Sequence, residues 1–292
     1  MEPGSGGRDT ESEPFLRITG FLSYEFRNMG FSAIFLRTAN AVVSFVVAVF
    51  LAAAGAYSVY ALWDNNQVYA SAENVQADMI RLKPQVEIVE HAEGEPAAVE
   101  NTAFTELLAV NSDVRAWVST DNTNIDYPVL QGETNLTYIN TDVYGNFALA
   151  GSIFLDCRSD PEFEDAYSLL YGHHMANSGM FGDLDLYKDE SFFDENRTGM
   201  LILPDRVYDL EIYACMLVKA SDPVIFRPDE TSGDLNKLFD YCEQNAMYLH
   251  KDTVDAARND PGTKILALST CSSEFTDART IVLAVMKPHK AQ

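Results

Sequence analysis

Basic residues are scarce in this chain. Its 20 lysines and arginines stand against 44 aspartates and glutamates, a formal net charge of -24. Such a surface repels phosphate backbones and anionic headgroups, which sets nucleic-acid binding aside. Cysteine is as sparse: Cys157, Cys215, Cys242 and Cys271 are the whole set, with no CxxC pair. That excludes a small disulfide scaffold and a thiolate zinc site. The acidic stretches 160–165 and 183–190 lack the ligand spacing and central glycine of a calcium loop, and read as solvated surface. No motif calls for a metal or an organic cofactor, and nothing repeats internally. At 292 residues and 47% hydrophobic, the chain can bury one ordinary core and still carry appendages.

One long apolar run is present. Residues 41–63 carry no charge, and about 20 apolar residues span a bilayer as a helix. A core helix of that length would show a polar face. Arg8, Arg17, Arg27 and Arg37 precede the run, and the next basic residue is Arg81. The excess of positive charge predicts a cytoplasmic N-terminus and an external C-terminal part. Tyr57, Tyr60 and Trp63 suit the outer interface. Ala54-Gly55-Ala56 resembles a signal-peptide cleavage site, but the apolar run continues past it and residues 1–40 are long for a leader. The reading is an uncleaved anchor.

This divides the chain into four parts: a cytoplasmic tail at 1–40, the anchor at 41–63, a helix and linker at 64–100, and an external domain at 101–292. Residues 1–13 are polar and read as disordered. Residues 14–40 mix aromatics with arginines and suit the inner membrane surface. Residues 64–83 form a stalk or packing helix ended by Pro84, and 91–100 an acidic linker.

Short β-type runs dominate the last part: 114–120, 125–131, 151–156, 167–171, 200–203, 207–218, 264–270 and 280–286. Pro128 suits an edge or bulge. Such runs separated by turns predict a mainly β fold, a closed or nearly closed barrel. One later helix is expected from Leu235, Leu238, Phe239, Cys242, Ala246 and Leu249, capped by Thr231 or Ser232. Cys242 then lies on its apolar face. Cys215 lies inside a strand and Cys157 at the end of another. All three read as buried structural thiols.

Cys271 differs. It ends a β run and faces a polar loop, where a nucleophile is both held and reached. Arg279 opens the next apolar run. If the two runs pair as a hairpin closed by loop 272–278, Cys271 and Arg279 face each other. A guanidinium there stabilises thiolate and can donate to an oxyanion. A cysteine enzyme also needs a proton shuttle, and imidazole suits neutral pH. His173 and His174 end another apolar run after Gly172. Side chains alternate, so only one of the two can face Cys271. The order His then Cys excludes the papain arrangement. The caspase context QACxG and the chymotrypsin-like Gly-x-Cys-Gly are both missing.

These residues resemble the class B sortases. The family's TLxTC-like strand end reads here Ala267-Leu268-Ser269-Thr270-Cys271, with Ala267 departing from the first threonine. The family's histidine directly follows a glycine, which maps onto Gly172-His173. Its arginine starts the strand after the cysteine loop, matching Arg279. The blocks at 124–129, 144–146, 150–156, 171–175 and 180–183 and the helix at 232–249 extend the likeness over about 100–287.

The resemblance implies a sortase-type barrel of about eight strands, with N-terminal helices and one helix before the cysteine strand. It implies a cysteine transpeptidase: Cys271 as nucleophile, His173 as proton shuttle, Arg279 as carbonyl clamp, Ser269 and Thr270 as substrate contacts. The expected partners are secreted proteins bearing a C-terminal sorting motif, and a peptidoglycan precursor or other envelope amine. The chain has no LPxTG-like C-terminal signal, so it is expected to anchor others and not itself. Two alternatives stand: an extracellular cysteine protease without transfer, and a non-catalytic envelope scaffold.

Overall fold

The computed structural model describes residues 15–85, 102–271 and 276–289, with side chains from Gly30 onward except at 102 and 103. The expected disordered tail 1–13 and linker 91–100 lie outside the described residues. The chain divides into two compact units, Met1–Asp64 and Asn65–Gln292.

Helix α1 (Phe15–Ile80) begins in the first unit and runs unbroken through the apolar stretch. Residues 41–64 expose their side chains on every side. An 18-residue window there has a mean hydropathy of 2.2 and is wholly unburied. A helix apolar all round has no face to turn to water, and hydrocarbon is the solvent that suits it. The helix fits a membrane anchor.

In the second unit the strands are β1 (Val114–Thr120), β2 (Asp126–Leu130), β3 (Ile153–Leu155), β4 (Tyr167–Tyr171), β5 (Thr198–Ile202), β6 (Val207–Lys219), β7 (Tyr248–Leu249), β8 (Lys264–Cys271) and β9 (Ala278–Pro288). Their order is β5-β1-β2-β3-β4-β8-β9-β6, and β6 returns to β5. Eight strands thus close a barrel and remove its edges. The short β7 hangs on β6 alone. The pairs β2–β3 and β4–β8 are parallel. Pro128 is tolerated because β3 lies beside β2 only at Val129 and Leu130, so its missing N–H breaks no bond on that side.

Alternation assigns the two faces of each strand. Leu266 and Leu268 of β8 and Val282, Ala284 and Met286 of β9 point inward, joining buried residues from the other barrel strands. Ile265, Ala267, Ile281 and Leu283 point outward. Each fully buried aliphatic side chain contributes roughly 1.5–3 kcal/mol by leaving water.

The other helices are α2 (Thr102–Val110), α3 (Glu190–Glu195), α4 (Pro228–Thr231), α5 (Leu235–Asn245) and α6 (Lys251–Arg258), with a 3₁₀ helix at Gly182–Lys188. Helices α5 and α6 cover the outward layer with Leu238, Phe239, Cys242, Val254 and Ala257. The predicted helix before the cysteine strand is α5, and α4 and α6 flank it. Its cap is Asp234, which accepts from the Lys237 amide. Thr231 and Ser232 instead donate to the carbonyls of Val224 and Tyr167. The helix stops at Asn245, and Leu249 belongs to β7. Within the second unit, residues 65–80 of α1 pack against the barrel: Val68, Tyr69 and Ala72 meet the inner cluster, and Met79 joins Phe104 and Leu107 of α2.

Candidate active site

Strands β8 and β9 form an antiparallel hairpin whose last register pair is Cys271 with Arg279. Both share the outward parity of Ala267 and Ile281, so they stand side by side on one face, Cβ atoms about 5 Å apart. Cys271 is exposed and Arg279 half-buried. One Arg279 Nη1 bond goes to the Ala278 carbonyl, at 2.9 Å. Among the described residues Arg279 has no carboxylate partner.

Histidine enters from the other neighbour of β8. The parallel β4–β8 register runs to Tyr171 opposite Ser269, and the Gly172 amide donates to the Ser269 carbonyl at 3.1 Å. Continued by two residues, that register brings His173 beside Cys271. Gly172 is required by packing: a Cβ there would meet the Phe181 ring at 2.7 Å and press on Ile153. His173 Nε2 lies 2.7 Å from the Ile139 carbonyl. A carbonyl only accepts, so Nε2 carries a proton and Nδ1 is the nitrogen left open.

His174 turns the other way. Its Nε2 lies 3.0 Å from Asp185 Oδ2, and Asp185 also pairs with Lys188 at 2.8 Å and accepts from Thr280 at 3.2 Å. Burial pushes the Asp185 carboxyl up, but the bonds from Lys188 and His174 outweigh it and hold it below the usual range.

His173, Cys271 and Arg279 line one cleft of about 410 Å³. Its apolar wall comes from Leu136, Ile139, Phe154, Tyr171 and Phe226. The Tyr171 ring sits 5.3 Å from Phe154 and stacks on Phe226 at 6.3 Å. Ser269 and Thr270 also border the cleft, but their side chains are 1% and 2% exposed. By alternation Ser269 shares the face of Cys271, while Thr270 turns inward beside Thr280.

The expected burial of Cys157 is corrected: it is exposed. Strand β3 stops at Leu155, and Asp156 to Ser159 form a turn in which the Ser159 amide donates to the Asp156 carbonyl. Cys215 and Cys242 are buried, and burial pushes each thiol up to about 12. The acidic stretches bond to backbone amides, near and far. Asp160 accepts from the Glu162 and Glu164 amides, and Asp183 from the Asn124 amide.

Sequence reasoning passed over the cleft residues of two loops, Asn135 with Ile139 and Phe226, and of the β3 turn, Arg158. Irregular segments carry no periodicity by which to place them.

No protein-family model matches the chain. It is 31% identical over 169 residues to sortase B of Listeria monocytogenes, covering 58% of this chain and 67% of that one. Among solved structures it is similar to Spy0129, a Streptococcus pyogenes class B sortase involved in pilus biogenesis. There the identity is 37% and the TM-score 0.58, over 64% of this chain and 98% of that one. The chain belongs to the class B sortases. A Staphylococcus aureus sortase B–substrate complex is similar to this sortase at 25% identity and TM-score 0.61, over 77% and 99% of the two chains. Membership makes the sortase a cysteine transpeptidase. Its eight-stranded mixed barrel is the family's fold.

Proposed function

We propose that this sortase cleaves a C-terminal sorting signal of secreted proteins and transfers the acyl chain to an envelope amine, with Cys271 as nucleophile. The observation that carries the reading is the shared cleft of Cys271, Arg279 and His173. The Cys271 thiolate attacks the carbonyl of the threonine before the scissile bond. Arg279 donates to the developing oxyanion. His173 takes the Cys271 thiol proton on Nδ1, the nitrogen that Ile139 leaves open, and passes it to the departing amine as the C–N bond breaks, and a thioacyl enzyme remains. An incoming amine, deprotonated by the same imidazole, resolves it. Ser269, on the face of Cys271, borders the bound peptide, and Thr270 supports it from behind.

The solved substrate complex of the S. aureus relative supports a sorting-motif peptide as ligand. The amine is peptidoglycan or a second protein, and the pilus role of the S. pyogenes relative favours testing both. The arginines before the span support a cytoplasmic N-terminus and an external catalytic domain. Residues 1–40 are then the tail and 41–63 the anchor.

The test is acyl transfer. The full chain in detergent is mixed with a quenched fluorescent pentapeptide library with threonine fixed before the scissile bond, plus triglycine or hydroxylamine. The expected product is the peptide's acyl part joined to the added amine. Hydrolysis alone at every amine concentration would mean a protease, and no cleavage would sink the reading.

A further inference from the structure

Four segments build the cleft wall, and of these barrel pairing joins only the β3 and β4 ends directly. Asn135 lies in the connection after β2, Arg158 in the turn after β3, Tyr171 at the end of β4, and Phe226 in the loop after β6. One buried carboxylate reaches three of them directly and the fourth through Arg158. Asp156 is 0% exposed. Its Oδ2 accepts from Asn135 Nδ2 at 2.9 Å, Tyr171 Oη at 2.9 Å and Arg158 Nη2 at 2.7 Å. Its Oδ1 accepts from Arg158 Nε and from the Arg158 amide, each at 2.9 Å.

The network extends outward from there. Arg158 Nη2 donates to the Phe226 carbonyl at 2.8 Å, tying down the residue whose ring stacks on Tyr171. Asn135 Oδ1 accepts from the Cys157 amide at 2.8 Å. With one Nδ2 proton on Asp156, its second proton is free for a ligand. A hydrogen-bonded network around a buried charge favours one geometry, and removing that charge takes from Asn135, Tyr171 and Arg158 their shared acceptor. Burial pushes the Asp156 carboxyl up, but the bonds from Arg158, Asn135 and Tyr171 outweigh it and hold it below the usual range. The group is therefore an ionised acceptor at neutral pH.

We infer that Asp156 is the positioning residue of the substrate cleft, its carboxylate holding Asn135, Arg158 and Tyr171 so that the wall is preformed for the peptide. The inference rests on the cleft being the peptide site, as proposed above. Asp156 has no place among the reacting atoms. Its loss weakens peptide binding and leaves the chemistry of Cys271 in place.

The test uses the full chain in detergent micelles with Asp156→Asn, Arg158→Lys and Tyr171→Phe, each checked for melting temperature. With the same pentapeptide library, Asp156→Asn is expected to raise KM about 10- to 100-fold, the cost of lost charge-assisted bonds, with kcat within about threefold. Chloroacetamide should label Cys271 at the wild-type rate. Arg158→Lys should raise KM as well, because an ammonium cannot reproduce the two-pronged contact. Tyr171→Phe should do so less. If Asp156→Asn fails to fold, Arg158→Lys and Tyr171→Phe carry the comparison. Unmoved KM in the folded variants, or a fall in kcat alone, overturns the inference. A second arm needs no turnover: with ¹⁵N-asparagine labelling, the Asn135 side-chain amide should exchange slowly in the wild type and fast in Arg158→Lys and Asp156→Asn. Equal exchange overturns the inference also. A wild type that cleaves no library peptide sinks the proposed function alone, and the amide arm then decides the role of Asp156.

Discussion

Cys271 and Arg279 close the β8–β9 hairpin as directly opposed residues on its outward face. Backbone pairing puts the two side chains on one face, and the Nη1 bond to the Ala278 carbonyl holds the guanidinium there. Cys271→Ala is therefore expected to form no thioacyl intermediate by mass spectrometry. Arg279→Ala should lose on the order of 10²–10³-fold in turnover, as for a removed oxyanion donor. Arg279→Lys should recover little, because a single ammonium cannot match the planar fork. Wild-type turnover by Arg279→Ala would remove Arg279 from the mechanism.

The two histidines divide between the cleft and Asp185. His173→Ala should lose about 10²–10⁴-fold, the contribution of a positioned acid and base. His174→Ala should keep most activity and cost within about 1 kcal/mol of stability, since its contact with Asp185 is partly exposed. Turnover and thermal melts on the same preparations check both. A dead His174→Ala beside an active His173→Ala would place the strand register beyond Gly172 one residue off.

Thiol labelling should split the cysteines in two. Cys271 and Cys157 are exposed, whereas Cys215 and Cys242 are buried with thiols pushed up to about 12. Iodoacetamide at neutral pH should modify the first two only, and loss of activity should track Cys271. Cys157→Ser should stay active. Labelling of Cys215 or Cys242 ahead of the exposed pair, read by peptide mapping, would contradict the burial.

Protease added to intact protoplasts should remove the domain that follows residue 64 and spare the N-terminal tail. The expectation follows from the arginines before the span and the apolar, unburied helix. A protected C-terminal domain would reverse the topology.

Acid should unfold the domain through its depressed carboxylates. The folded-state pKa values of Asp156 and Asp185 are both lowered. Their stabilisation is therefore present above the ordinary carboxylate range and is lost as the pH falls through the depressed values. Urea midpoints should drop between about pH 5 and pH 1, less steeply in Asp156→Asn. Equal slopes for both proteins would show that Asp156 does not contribute.

The eight barrel strands were legible because alternation and turn residues act within a few neighbours of each position. Bounds moved by up to two residues, as at β3, where turn bonds shorten the strand and leave Cys157 exposed. The cap of α5 was misassigned among polar residues that look alike in sequence. Thr231 and Ser232 had nearer carbonyls to satisfy, and Asp234 was left to meet the Lys237 amide.

By itself the sequence determined the long apolar helix, the strand set and the opposition of Cys271 to Arg279. A hairpin partner lies close along the chain, so its register follows from local pattern and loop length. Only tertiary structure decided the rest. His173 reaches Cys271 through a parallel β4–β8 pairing, which local pattern does not specify because the strands are far apart in sequence. The gathering of Asn135, Arg158, Tyr171 and Phe226 around Asp156 depends on which buried polar groups find each other once the barrel has closed. Burial penalises an unpaired carboxylate far more than water does, so that choice is made by the folded interior.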